Sequence, residues 1–314
     1  MRIFLFVLNC SLGISIFLLG LKLLGSTLEK MLVHRLRRIL TKLTATKGRS
    51  FAVGLIVTSL IQSSSAVCST MVVLVDSGAL GLHQALGVML GANIGTTLTA
   101  QIVAFPLEKV AIPLIIMGLV VVYWGKRRSV GSVLCSLGAV FFGLTFTTAV
   151  LAPVLTKPAL QRLILGLSNT PLQAVALGAL LTAVVQSSSA VTGLVIGLTK
   201  HSFLPVQVAV ALALGSNVGT VLTTLLASLG RSRASKASAY ADLFFNLGGV
   251  LLVLPVYPAF LRLIQLLSAD PSRQVAHAHS TFNVLTALLV LPFLEYLAAL
   301  AWWWAGIRQV NKNK

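Results

Sequence analysis

Apolar runs of spanning length recur along the chain, and nothing else in the sequence limits its fold so tightly. They cover residues 3–24, 84–105, 130–152, 205–229, 237–257 and 278–304, with a shorter run at 110–124. A spanning helix needs about 20 apolar residues. Inside hydrocarbon every backbone N–H and C=O must be satisfied within the protein, which leaves helices or a closed barrel. Runs this long read as helices, so the expected fold is all-α and polytopic. Only 10% of residues are charged, against roughly 25% in soluble domains, which excludes a soluble enzyme. The first run follows Arg2 and is too long, with no small-residue cleavage site after it, to be a signal peptide; it is expected to stay as the first span. Cys10, Cys68 and Cys135 lie in apolar stretches and imply neither a disulfide nor a metal framework.

Two further apolar stretches, 50–80 and 171–203, are interrupted in their middles by Gln62-Ser63-Ser64-Ser65 and Gln186-Ser187-Ser188-Ser189. The twelve residues from 50 to 61 make about 18 Å of helix, just past the middle of a core about 30 Å thick. A re-entrant hairpin with its polar tip at the midplane must bury that tip in protein or line a wet cavity, which implies a binding site. Basic residues cluster at 30–49, 126–128, 231–236 and 308–314. Hairpins put all four clusters, and the C-terminus, on the cytoplasmic face, whereas full crossings would force 126–128 outside. The net charge of +18 is thus expected to serve loops and lipid headgroups, not nucleic acid.

Sliding the chain against itself by 124 residues aligns Gly54 with Gly178, Thr58 with Thr182, the six residues 62–67 with 186–191, and Gly91-Ala92-Asn93-Ile94-Gly95-Thr96 with Gly215-Ser216-Asn217-Val218-Gly219-Thr220. Between Gly54 and Thr99, 18 of 46 positions are identical. With hairpins, three spans separate the two units, so the second enters from the opposite face. Inverted repeats with interrupted helices meeting at the midplane are a common build of secondary transporters. The expected organisation is a first helix and basic connector (1–49), repeat one (50–168) and repeat two (169–314), each repeat a hairpin, a broken helix and two further spans.

Serine, threonine and amide oxygens are hard neutral ligands suited to Na⁺, and the N–H groups freed at helix N-termini attract anions. The candidate site residues are therefore Gln62, Ser63, Ser64, Ser65, Thr58, Asn93 and Thr96 in one repeat and Gln186, Ser187, Ser188, Ser189, Thr182, Asn217 and Thr220 in the other. The glycines around Asn93 and Asn217 suit either close helix packing or an opened backbone; the enclosed Asn favours a second pair of broken helices. Phe245-Asn246 and Phe282-Asn283 add Asn246 and Asn283, with Asp242 and His279 four residues earlier. Glu295 lies in an apolar run with no partner legible from sequence. No Lys or Arg adjoins either tip in sequence, so a bound anion would need Na⁺ to neutralise it.

The twin Gln-Ser-Ser-Ser motifs, each followed by Gly-x-Asn-x-Gly-Thr, resemble the sodium/phosphate cotransporter family, the type II group with its bacterial relatives. That resemblance implies Na⁺-coupled uptake of inorganic phosphate, with Gln62 to Ser65 and Gln186 to Ser189 contacting substrate and Na⁺. The His found four residues before Asn in that family stands here at His279, but Asp242 occupies the place before Asn246. The expected protein is a plasma-membrane symporter working by alternating access, with phosphate, Na⁺ and lipid as partners, Na⁺ as coupling ion, no other cofactor, and a homodimer left open. Two rivals remain at this point: a carrier or channel for another anion such as sulfate, and a non-transporting scaffold or sensor in which the motifs only pack.

Overall fold

The computed structural model describes residues 2–44, 46–106, 108–125 and 127–306, and among them it is helical with no strand. Lys126 and the basic cluster at 308–314 lie outside the described residues. The helices are α1 (Arg2–Leu43), α2 (Lys47–Ile61), α3 (Ser64–Asp76), α4 (Leu82–Val103), α5 (Ala111–Trp124), α6 (Arg128–Leu155), α7 (Pro158–Ser168), α8 (Pro171–Val185), α9 (Ser188–Lys200), α10 (Val206–Ser228), α11 (Arg233–Val253), α12 (Tyr257–Leu267), α13 (Pro271–Val290) and α14 (Leu294–Trp304). Six stretches are long and apolar enough to cross a membrane, or seven if α7 and α8, bent by 110°, count as one span. Two of the six, Arg233–Leu267 and Pro271–Trp304, contain a 3-10 turn each, Leu254–Val256 and Leu291–Phe293. Pro255 and Pro292 sit in those turns and remove a helix-forming N–H. The 14 residues of α5 reach about 21 Å, and the 3-10 turn Glu108–Val110 before it adds about 6 Å.

Each Gln-Ser-Ser-Ser motif ends one helix and starts the next. Gln62 and Gln186 take left-handed backbone conformations, φ 61° and 57°, and their N–H groups bond the carbonyls of Thr58 and Thr182, which closes α2 and α8. Holding a non-glycine residue there costs about 1–3 kcal/mol and marks a constrained position. Ser63 and Ser187 are then extended N-caps whose hydroxyls accept from the N–H of Ala66 at 3.3 Å and Ala190 at 3.2 Å.

The helix that follows each hairpin packs alongside that hairpin's first arm. Gly54 lies against the Val88 carbonyl, Gly91 against that of Phe51 and Gly95 against that of Leu55; further on, Thr99 donates to the Gln62 amide oxygen. Residue numbers rise together along both helices, so α2 and α4 run in the same direction. The 13 residues of α3 must therefore carry the chain back, and α2 and α3 enter and leave at one end of the bundle. The second unit repeats this: Gly178 meets the Leu212 carbonyl, Gly215 that of Val175 and Gly219 that of Ala179.

These contacts correct the expectation of broken helices at the Asn positions. α4 and α10 run unbroken through Asn93 and Asn217. The flanking glycines instead allow close approach, since a Cβ on Gly91 would stand 2.0 Å from the Phe51 oxygen and one on Gly215 1.9 Å from the Val175 oxygen. Small residues at helix crossings serve this purpose in membrane proteins. The interruptions fall in the last two spans, at the proline turns.

Candidate functional site

The two tips share one cavity of about 430 Å³, lined by Ile61, Gln62, Ser63 and Ala66 from the first unit, Val185, Ser187 and Ser189 from the second, and Leu18, Leu21, Lys22, Gly25 and Ser26 from α1. That volume suits a small-ligand site, about 300–1,000 Å³. The N-caps of α3 and α9 both line it, so the positive ends of two helix dipoles face the same space. Gln62 is held by its bonds to Thr99 and to the Ser59 carbonyl. The halves are unequal here, because Gln186 is exposed and does not line the cavity.

The other candidates surround this centre. Ser64 and Ser188 open α3 and α9 and are buried. Ser65 Oγ lies 3.0 Å from Thr220 Oγ1, which ties the first tip to the second unit's Asn-bearing helix. Thr96 donates back to the Ala92 carbonyl at 2.9 Å, an ordinary helix back-bond. Thr58 and Thr182 are fully buried, each with its hydroxyl oxygen unpartnered, and their Cβ atoms press on Gly95 and Gly219.

Asn93, Asn217, Asn246 and Asn283 form two buried polar clusters rather than cavity lining. In one, the Asn217 amide oxygen accepts from Asn283 Nδ2 at 3.2 Å and meets His279 Nε2 at 3.2 Å. An amide oxygen only accepts, so His279 carries its proton on Nε2; its Nδ1 is buried without a partner. In the other, Asp242 accepts from Thr224 at 2.9 Å and from Asn246 Nδ2 at 3.0 Å, and Asn93 faces the same carboxylate. Asp242 and His279 thus hold equivalent places beside Asn93 and Asn217, but His279 donates to Asn217 whereas the Asn93 Nδ2 is buried without a partner.

Sequence reasoning missed the signal that links these clusters. Offsetting the chain by 37 residues aligns Asp242 with His279, Phe245-Asn246 with Phe282-Asn283 and Pro255 with Pro292, and 10 of the 21 positions from Ser235 to Pro255 are identical. The two spans are therefore a second internal duplication. Asn283 donates to Asn217 of α10, whereas Asn246 bonds Asp242 of its own helix.

Three charged residues are placed differently from expectation or newly placed. Lys22, far from either tip in sequence, lines the cavity; the expectation that no cation adjoins the tips is overturned, because α1 packs its Gly25 against the Ile61 carbonyl. Glu295 has a partner, Lys47 Nζ at 2.7 Å, in an exposed pair of the kind worth little in stability. Asp76 accepts from the Ser232 N–H at 2.8 Å and from Arg231 at 3.0 Å, pinning the end of α3 to the α10–α11 turn. The Ser232 hydrogen bonds, then Arg231, hold its carboxyl below the usual carboxylate range. Among the described residues no three His, Cys, Asp or Glu side chains gather as a metal site.

The profile of the Na+/Pi-cotransporter family matches residues 16–149 and 152–268. The chain belongs to that family. It is therefore a membrane protein of a phosphate-transport family and not an enzyme. It is 30% identical to the uncharacterized protein YqeW of Bacillus subtilis (strain 168), over 88% of this chain and 91% of that one. It is 27% identical to YjbB of Escherichia coli (strain K12), whose name provisionally assigns it to inorganic phosphate export, over 91% of this chain but 53% of YjbB, so the chain spans about half of that relative. A 139-residue stretch is 33% identical to sodium-dependent phosphate transport protein 2A of Rattus norvegicus, covering 43% of this chain and 22% of that one. No solved structure matches.

Proposed function

We propose that the protein couples Na⁺ to the movement of inorganic phosphate across the plasma membrane by alternating access. The carrying observation is the single cavity where Gln62 and Ser63 of one unit meet Ser187 and Ser189 of the other. Two helix N-termini attract an oxyanion there, and serine hydroxyls can donate to its oxygens. Gln62 to Ser65 and Ser187 to Ser189 are assigned to phosphate and Na⁺, and Gln186, outside the cavity, to closing α8 ahead of them. Hard neutral oxygens that lack a protein donor suit Na⁺, and the buried, unpartnered oxygens of Thr58, Thr182, Asn246 and Asn283 come in matched pairs from equivalent positions. Asn93, Thr96, Asn217 and Thr220 shape and support that centre.

Alternating access in this reading uses inverted units. Its support is the direction of equivalent helices: α4 begins six residues after Asp76, while α10 ends three residues before the Arg231 that bonds Asp76. Likewise α11 begins at that end, whereas α13 begins near the far end of α4, where Arg273 stacks over Phe105. The basic clusters then face the cytoplasm, with the C-terminus.

The test is equilibrium phosphate binding to purified protein in Na⁺, K⁺ and choline at equal ionic strength. Na⁺ should tighten phosphate by about 5- to 150-fold, and phosphate should tighten Na⁺ by the same factor. Equal affinity in all three salts would refute the coupling. Similarity to YjbB over most of this chain favours export as a second reading of direction; phosphate flux in right-side-out and inverted vesicles under an imposed Na⁺ gradient separates it from uptake.

A further inference from the structure

Lys22 is the one charged side chain in Phe4–Leu28, a stretch of mean hydropathy 2.3 whose residues are mostly unburied by protein. An ionisable group within such a span is costly unless it faces water or an opposite charge. Among the described residues Lys22 makes no hydrogen bond or ion pair. It does line the cavity, beside Gln62, Ser63, Ser187 and Ser189, and no carboxylate lines that cavity with it. Among the described residues, the cavity where the two polar tips meet thus contains a cation with no counter-charge lining it.

We infer that Lys22 is the fixed positive charge that holds the tetrahedral oxyanion, and that it takes the place of one bound Na⁺. This deepens the phosphate reading above and rests on it. Phosphate carries one or two negative charges. Each helix N-terminus offers roughly half a charge, and the serines offer only dipoles, so these groups leave an anion undercompensated in a poorly solvated site. Lys22 supplies a full charge that needs no ion from solution. It also repels Na⁺ from the cavity until phosphate arrives, which orders the two ligands.

The experiment measures radiolabelled inorganic phosphate and ²²Na⁺ binding to purified wild type, Lys22→Gln and Lys22→Arg. Lys22→Gln should weaken phosphate tenfold or more at saturating Na⁺, make phosphate binding depend more steeply on Na⁺, and leave binding of Na⁺ alone equal or tighter. Lys22→Arg should stay within about threefold of wild type, since the charge is kept. Unchanged phosphate affinity and Na⁺ steepness in Lys22→Gln would overturn the inference and leave Lys22 as a residue reaching for headgroups. A second measurement does not depend on a variant folding. In wild type, bound phosphate should slow acetylation of Lys22 read by peptide mass spectrometry, and acetylation unaffected by saturating phosphate would also overturn it. Failure of wild type to bind phosphate would strike the phosphate reading itself, a distinguishable result.

Discussion

Gly91→Ala is expected to disturb the tip of the first hairpin although Gly91 touches no ligand. A Cβ there would lie 2.0 Å from the Phe51 carbonyl oxygen and 2.7 Å from the Leu55 nitrogen. Ordinary contact begins near 3.4 Å, so α2 and α4 must part by about 1.4 Å at this crossing. Both obstacles are backbone, which no rotamer change relieves. Overpacking of this kind costs about 1–3 kcal/mol, and the upper end applies here. Replacing a helical Gly by Ala returns up to about 1 kcal/mol, leaving a net loss of about 2 kcal/mol. Separation by that amount also exceeds what the Gln62–Thr99 hydrogen bond can absorb, since O–H···O bonds weaken beyond about 3.0 Å. Phosphate affinity should fall along with stability. The assay is equilibrium unfolding in mixed micelles with Gly166→Ala as control, because a Cβ on Gly166 meets nothing within 4 Å. Gly166→Ala should be neutral or stabilising. Equal stability and phosphate affinity in the two variants would refute the close-packing account of the Gly91 crossing.

Asp76→Asn should destabilise the protein at neutral pH and not at acid pH: the folded carboxyl titrates below its unfolded value, so its contribution is present above roughly pH 4 and is lost as pH falls through the folded value. Unfolding measured for wild type and variant across that range checks it, with the two curves meeting at low pH. Asn283→Ala removes a donor from the buried Asn217 oxygen and should cost about 1–3 kcal/mol, read by the same unfolding assay; a neutral result would mean that His279 alone satisfies Asn217. The 28 residues of α6 extend about 42 Å, enough to cross, so single cysteines at Arg127 and Lys157 should label from opposite faces of sealed vesicles. Labelling of both from one side would defeat the proposed topology.

Much of this architecture is written locally. A run of twenty apolar residues has no choice but to be helical in lipid, and Gln-Ser-Ser-Ser stops and restarts a helix through bonds to Thr58, Thr182, Ala66 and Ala190 that lie within four residues. The repeats were therefore visible in the chain, as was the prospect of two polar tips sharing a site. Tertiary structure decided the rest, wherever the deciding contact joins distant segments. The glycines around Asn93 and Asn217 looked the same whether they opened a helix or packed one, and only the carbonyls of Phe51 and Val175 against them settle that they pack. Glu295 gained Lys47 across 248 residues of chain. Lys22 lies 40 residues before Gln62 and 165 before Ser187, and no local pattern could place its charge in the cavity; the docking of α1 against Ile61 does so, because packing against a partner helix fixes which face of an apolar span meets protein and which meets lipid.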